Sequence, residues 1–157
     1  MADNLRGVEA LYRVFDMLKL ELDTNPFCNS VTMGTLTETD LAKQTIFPMA
    51  HLTLETVTHH DNSLSFQITL FNLDIVEISK DPSSGFYGND NLMYVATNQL
   101  YVANRLIARM KESTIYQNGW QLDGDPSSDF VNKELENMLA GYQTTFTLTV
   151  PNDINKC

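Results

Sequence analysis

Residues 51–78 read HLTLETVTHHDNSLSFQITLFNLDIVEI, and the alternation within them decides the fold class. Leu52 and Leu54 alternate with Thr53 and Glu55, while Leu64, Phe66, Ile68 and Leu70 alternate with Ser65, Gln67 and Thr69. A period of two places successive side chains on opposite faces of a strand, so each arm offers one apolar face to a core. His60-Asp61-Asn62-Ser63 between the arms has turn chemistry, and the whole is predicted to be a long β-hairpin. The phase slips where Leu70 and Phe71 are adjacent and the apolar series continues at Leu73 and Ile75. Either a bulge at that point or a strand buried on both faces accounts for the slip. The polar face carries mostly hydroxyls and amides, with no converging His, Cys or paired carboxylates, which is the pattern of a scaffold.

Two amphipathic helices flank the hairpin. Over residues 3–23 the apolar side chains Leu5, Val8, Leu11, Tyr12, Phe15, Leu18 and Leu22 recur at three- and four-residue intervals, with Asp3 or Asn4 as the cap and Pro26 preventing continuation. The second helix is predicted from about 91 to 111, capped by Asp90 or Asn91. Its packed stripe is expected at Met93, Ala96, Leu100, Ala103, Ile107 and Met110, widened by Leu92, Val95, Val102 and Leu106. Arg105, Arg109 and Lys111 complement the negative end of that helix.

The remaining elements are shorter. Residues 29–36 predict a first strand with a bulge at Gly34, and Thr37 to Ala42 a loop or single helical turn; Pro48 imposes extended geometry on Phe47. Residues 79–90 are predicted to be a long exposed loop, whose Phe86 and Tyr87 are expected to tuck back onto the domain. Trp120 to Leu122 suggests a short strand, Asp123 to Asp129 a turn, and Phe130 to Gly141 is ambiguous. Phe146, Leu148 and Val150 alternate with threonines in a last strand, Gln143 to Val150, which Pro151-Asn152-Asp153 ends. The reading is a single α+β domain over 1–157 with a mostly antiparallel sheet and a loose tail at 151–157.

Composition narrows the function. A chain of 157 residues with 43% hydrophobic content is the size of one domain with its own core. The formal net charge is −10, and residues 28–80 and 120–157 each hold 6 acids and 2 bases. Gripping nucleic acid needs clustered Lys and Arg, so a phosphate-binding groove is not expected. Cys28 and Cys157 are read as reduced thiols. With no apolar run approaching the roughly 18 residues of a membrane span and no signal-peptide core, the chain is expected to be soluble and made inside a cell.

Candidate reactive sites are sparse. Asp123-Gly-Asp125-Pro-Ser127-Ser128-Asp129 with Glu134 partly matches a calcium loop, but Ser128 stands where the sharp turn requires Gly and Pro126 stiffens the segment. It reads as an ordinary Asx/Pro turn. His59 and His60 are neighbours on an extended chain and point apart, so they do not share a metal with His51. There is no Gly-x-Ser-x-Gly elbow, no Cys/His signature, no G-x-G-x-x-G and no P-loop. No catalytic, cofactor or metal residues are assigned, and an enzyme is not expected.

Three blocks carry a resemblance: residues 43–51 (KQTIFPMAH), residues 98–107 (NQLYVANRLI), and residues 139–142 (LAGY) leading into Phe146. They resemble the neck and tail-completion (tail-terminator, head–tail joining) proteins of tailed bacteriophages, most closely versions from phages of Bacteroidota-type hosts. The resemblance implies a virion protein, made in the host bacterial cytoplasm, that forms a homo-oligomeric ring at the neck or tail top. Its neighbours would be portal-side connector and tail proteins, with DNA passing through the channel without specific binding. Ring contacts are then expected from sheet edges, with Gln143 to Val150 and the loop from Ser79 to Asp90 as candidates. The alternative is a small ligand-binding or enzymatic α/β domain with a pocket between the hairpin and the second helix.

Overall fold

The hairpin forms around the predicted turn. In the computed structural model, which describes residues 8–35, 47–78, 88, 90–112, 119–134 and 138–152, strand β2 (Met49–His59) and strand β3 (Ser63–Ile75) pair antiparallel. The His60 N–H donates to the Ser63 carbonyl at 2.9 Å and closes the turn. The other elements are helix α1 (Val8–Asp23), strand β1 (Ser30–Met33), helix α2 (Leu92–Lys111), strand β4 (Gln121–Glu134) and strand β5 (Leu139–Pro151). The five strands make one mixed sheet in the order β1-β2-β3-β5-β4, with β1 parallel to β2 and the other pairings antiparallel. With both helices packed on this sheet the fold is α+β, as the alternation and the helical periodicities predicted.

The phase slip is explained by burial on both faces of β3. Its pairing with β5 runs unbroken from Ser63↔Pro151 to Ile75↔Leu139, so no bulge lies at Leu70-Phe71. Leu64, Phe66, Ile68 and Leu70 face a main core shared with Ala50 and Leu52 of β2, Phe146, Leu148 and Val150 of β5, and Val14, Leu18, Leu22, Val102, Leu106 and Met110 of the helices. Both helices therefore cover the same face. On the opposite face Phe71 and Leu73 join Met49, Leu139, Val131 and Phe47 in a smaller cluster. The irregularity sits in β2: Leu54 pairs with Ile68 but Thr56 with Gln67, leaving Glu55 as the extra residue. One inserted residue reverses the facing, which is why Val57 joins Leu52 and Leu54 against the main core.

The segment 123–129, predicted to be a turn, is instead part of β4. Its turn residues are absorbed as an irregularity: from Asp123↔Thr147 to Ser127↔Thr145, β4 advances four positions while β5 moves two. Gly124, at φ 64, and Pro126 occupy the surplus. An edge strand tolerates this because a missing N–H on its outer side breaks no ladder. The last strand is also longer than predicted, starting at Leu139 and including Pro151. Just beyond it the Asn152 N–H donates to the Asn62 carbonyl at 2.8 Å, tying part of the expected loose tail to the hairpin turn.

Helix α2 is placed by a buried amide pair that hydrophobic periodicity does not detect. Asn72 of β3 and Gln99 of α2 are both buried, and Asn72 Nδ2 donates to the Gln99 carbonyl at 2.6 Å and to Gln99 Oε1 at 3.2 Å. Gln99 therefore lies on the inward face with Val95, Ala96, Val102, Ala103, Leu106 and Met110. That rotation turns Met93 and Leu100, predicted to pack, toward solvent. At the N-terminus Asp90 Oδ1 accepts from the Leu92 N–H at 3.2 Å, whereas Asn91 makes no side-chain cap and accepts instead from the Glu77 N–H. Arg109 near the C-terminus pairs with Glu21 and Glu112.

Candidate functional site

The polar face of the hairpin is organised as pairs of hydroxyls across strands. The longest chain of contacts starts at the turn: His60 Nε2 lies 3.1 Å from Ser65 Oγ, which lies 2.7 Å from Thr149 Oγ1, whose hydroxyl donates to Asp123 Oδ2. Donor counting sets its direction. Thr149 spends its one proton on Asp123, so the Ser65 proton points to Thr149 and His60 presents its N–H to Ser65. A serine activated as a nucleophile needs the reverse, its own proton directed at an imidazole lone pair. This chain therefore braces β3, β5 and β4. A parallel pair, Thr69 with Thr145 at 3.2 Å, does the same further along the sheet.

Among the described residues, burial shifts the titration of His51 and of Asp74. His51 is fully buried, with Nε2 donating to the Gly34 carbonyl at 3.1 Å and Nδ1 2.7 Å from the Thr32 hydroxyl, so both ring nitrogens are bonded within the protein. Burial lowers its pKa from 6.5, opposed by the Gly34 carbonyl. The unfolded chain then binds a proton that the folded chain resists, so this contribution to stability is complete above pH 6.5 and shrinks as the pH falls below it. Asp74 acts oppositely. Burial raises its pKa from 3.8, so the penalty for its charge is relieved as acid protonates it. Urea unfolding at about pH 7.5 and about pH 5.5 is expected to show the acid loss in the wild type and a smaller one in His51→Gln.

Cys28 is buried, and its thiol pKa is pushed up to about 11, mainly by burial and then by the charge of Asp23. A thiol held that high is a poor nucleophile. Peptide mapping after treatment with iodoacetamide is expected to leave Cys28 unmodified in the native chain and modified once the chain is unfolded in urea.

The described carboxylates of the partial calcium loop lie along a strand. Asp123, Asp125 and Asp129 are exposed along the edge strand β4, and Asp123 is engaged with Thr149. Among the described residues, no group of three or more His, Cys, Asp or Glu converges as metal ligands, and no helix is long and apolar enough to cross a membrane.

What the structure does bring together is apolar surface. A groove of about 770 Å³ opens between α1 and the β1–β2 side of the sheet, lined by Leu11, Phe15, Val31, Leu52 and Leu54, with Tyr12, Asp16, Lys19 and Met33 also on its walls. This is not the location predicted for a pocket, which was under the second helix. Tyr12, expected to pack with the first helix, is 74% exposed and Met33 65%. A second surface is the outer side of α2, where Met93, Tyr94, Leu100 and Tyr101 are 50%, 65%, 48% and 47% exposed. Phe27 meets the Tyr101 ring edge-on, with centroids 5.7 Å apart, and holds it in place.

The sheet edges also differ from expectation. Gln143 to Val150, proposed from sequence as a contact strand, lies inside the sheet, with both edges paired to β3 and β4. The outer strands are β1 and β4. Carboxylates, Pro126 and two register shifts make β4 a poor template for a further strand. Of the loop from Ser79 to Asp90 only Gly88 and Asp90 are described, Asp90 bridging to Ile78; Phe86, Tyr87, Cys157 and the segment 36–46 lie outside the described residues. The chain matches no protein-family model and no curated protein.

Proposed function

We propose that the chain is a structural virion protein, a tail-terminator or head–tail joining subunit that forms a ring around the DNA channel. The observation that carries this reading is the outer face of α2, with four large side chains about half exposed or more on one helix. Burying side chains of this size is worth about 1.5–3 kcal/mol each, and an assembly recovers what the isolated protomer leaves in water. The resemblance of residues 43–51, 98–107 and 139–142 to tail-completion proteins points the same way, and the second block lies on α2. Hydroxyl chains that brace strands suit a load-bearing part, and a net charge of −10 suits a lining past which DNA slides.

Negative-stain images of the purified chain, alone and mixed with connector and tail-tube proteins, test the reading. Closed rings, or rings formed on contact with either neighbour, are expected; a chain that remains single and binds neither contradicts it. The groove beside α1 favours a second reading, a small apolar-ligand domain. That reading requires a ligand-dependent rise in melting temperature, lost when Tyr12 and Met33 are changed.

A further inference from the structure

We propose that the ring contact is heterologous, with the outer face of α2 on one copy seated in the groove between α1 and β1 of the next. The contact rests on the ring reading above. Its two halves share no residue: among the described residues the groove is lined by α1, β1, β2 and the two residues after β1, and the projecting face belongs to α2. A knob and a hole on different parts of one molecule generate head-to-tail contacts, which close into rings when the rotation permits. Two aromatic side chains, Tyr94 and Tyr101, are of the kind that anchors interfaces, and an apolar recess of about 770 Å³ has room to receive them.

Charge selects this pairing over contact between two α2 faces. All 20 acidic residues of the chain lie outside α2, which carries Arg105, Arg109 and Lys111; Arg109 is paired with Glu21 and Glu112, so the charge α2 offers a neighbour comes from Arg105 and Lys111. Two such faces repel. Asp16 stands exposed on the groove wall, while Lys19, the cation there, is bridged to Asp23 at 2.5 Å. The groove thus presents net negative charge to a basic, apolar helix. The β4 edge is guarded against strand addition, and among the described residues the outer face of α2 carries four large exposed apolar side chains on one element.

Two double variants at exposed positions test the contact. Tyr94→Ala/Leu100→Ala removes the knob without adding charge, and Tyr12→Lys/Met33→Lys places cations in the apolar hole. Each is expected to keep a native circular dichroism spectrum and to weaken self-association at least about tenfold. An equimolar mixture retains one intact knob and one intact hole, so it is expected to form a heterodimer and nothing larger, measured by sedimentation velocity over a concentration series. If the wild type assembles but either variant assembles equally well, or the mixture stays monomeric, this contact is wrong while the ring reading stands. If the wild type stays monomeric both alone and mixed with connector and tail-tube proteins, both fall.

Discussion

Gly141→Ala is expected to destabilise the chain by about 3 kcal/mol or more, the cost of forcing a side chain into a space already filled by backbone. Gly141 lies in β5 opposite Leu73, at φ 158, where an added Cβ would sit 1.9 Å from the Asn72 carbonyl oxygen and 3.0 Å from the Leu73 Cα. Neither neighbour can swing away. Asn72 is fixed by its bonds to Gln99, and Leu73 is packed with Met49 and Leu139, so relief requires β3 and β5 to separate near the base of α2. Gly124→Ala is the matched control. At φ 64 it is strained for any other residue but has open space around it, and about 1 kcal/mol is expected. Urea unfolding of both variants compares them directly; equal losses would refute the close approach of the two strands.

Phe66→Ala is expected to cost about 3–5 kcal/mol, lowering the melting temperature by roughly 10 °C, whereas Gln67→Ala is expected to change stability by less than about 0.5 kcal/mol. The two residues are adjacent on β3 and point to opposite faces. Phe66 is among the largest fully buried side chains and sits in the main core with Ile68 and Leu148, while Gln67 is exposed. Removing the ring leaves a cavity walled by the sheet and both helices, which cannot all move inward. Comparable losses from both substitutions would mean that the sheet is not seated on the helices as described.

The same alternation shows how far the chain could be read. Leu64 to Leu70 announce a strand because apolar and polar residues strictly alternate, and the turn follows from His60-Asp61-Asn62-Ser63. The bulge at Glu55 was also legible, since apolar residues fall at 52, 54 and then 57, but the adjacent pair Leu70-Phe71 is the more conspicuous break. Pairing distinguishes the two, and pairing is a property of two strands at once. Asp, Gly, Pro and Ser over 123–129 have the composition of a turn, and only their place at a sheet edge makes a bulged strand out of them. That Gln143 to Val150 is interior depends likewise on where β4 adds.

The surfaces that now carry the functional reading were the least legible. Apolar residues at Met93, Tyr94, Leu100 and Tyr101 fit a wide packed stripe as well as an exposed flank, and periodicity gives no means of telling them apart. The deciding residue is Gln99, a polar side chain in the buried stripe whose partner Asn72 lies on another element. Its rotation of α2 exposes the flank. Tyr12 and Met33 belong to the groove for a similar reason: α1 leans on β1 and β2 without closing over them.

Sedimentation velocity of the wild-type chain over a wide concentration range tests the central claim most directly. A discrete closed species is expected, alone or on addition of connector or tail-tube proteins, whose protomer count is fixed and which grows in proportion but not in size as concentration rises. A single species of 17.8 kDa at every concentration, both alone and with connector and tail-tube proteins added, would contradict the ring.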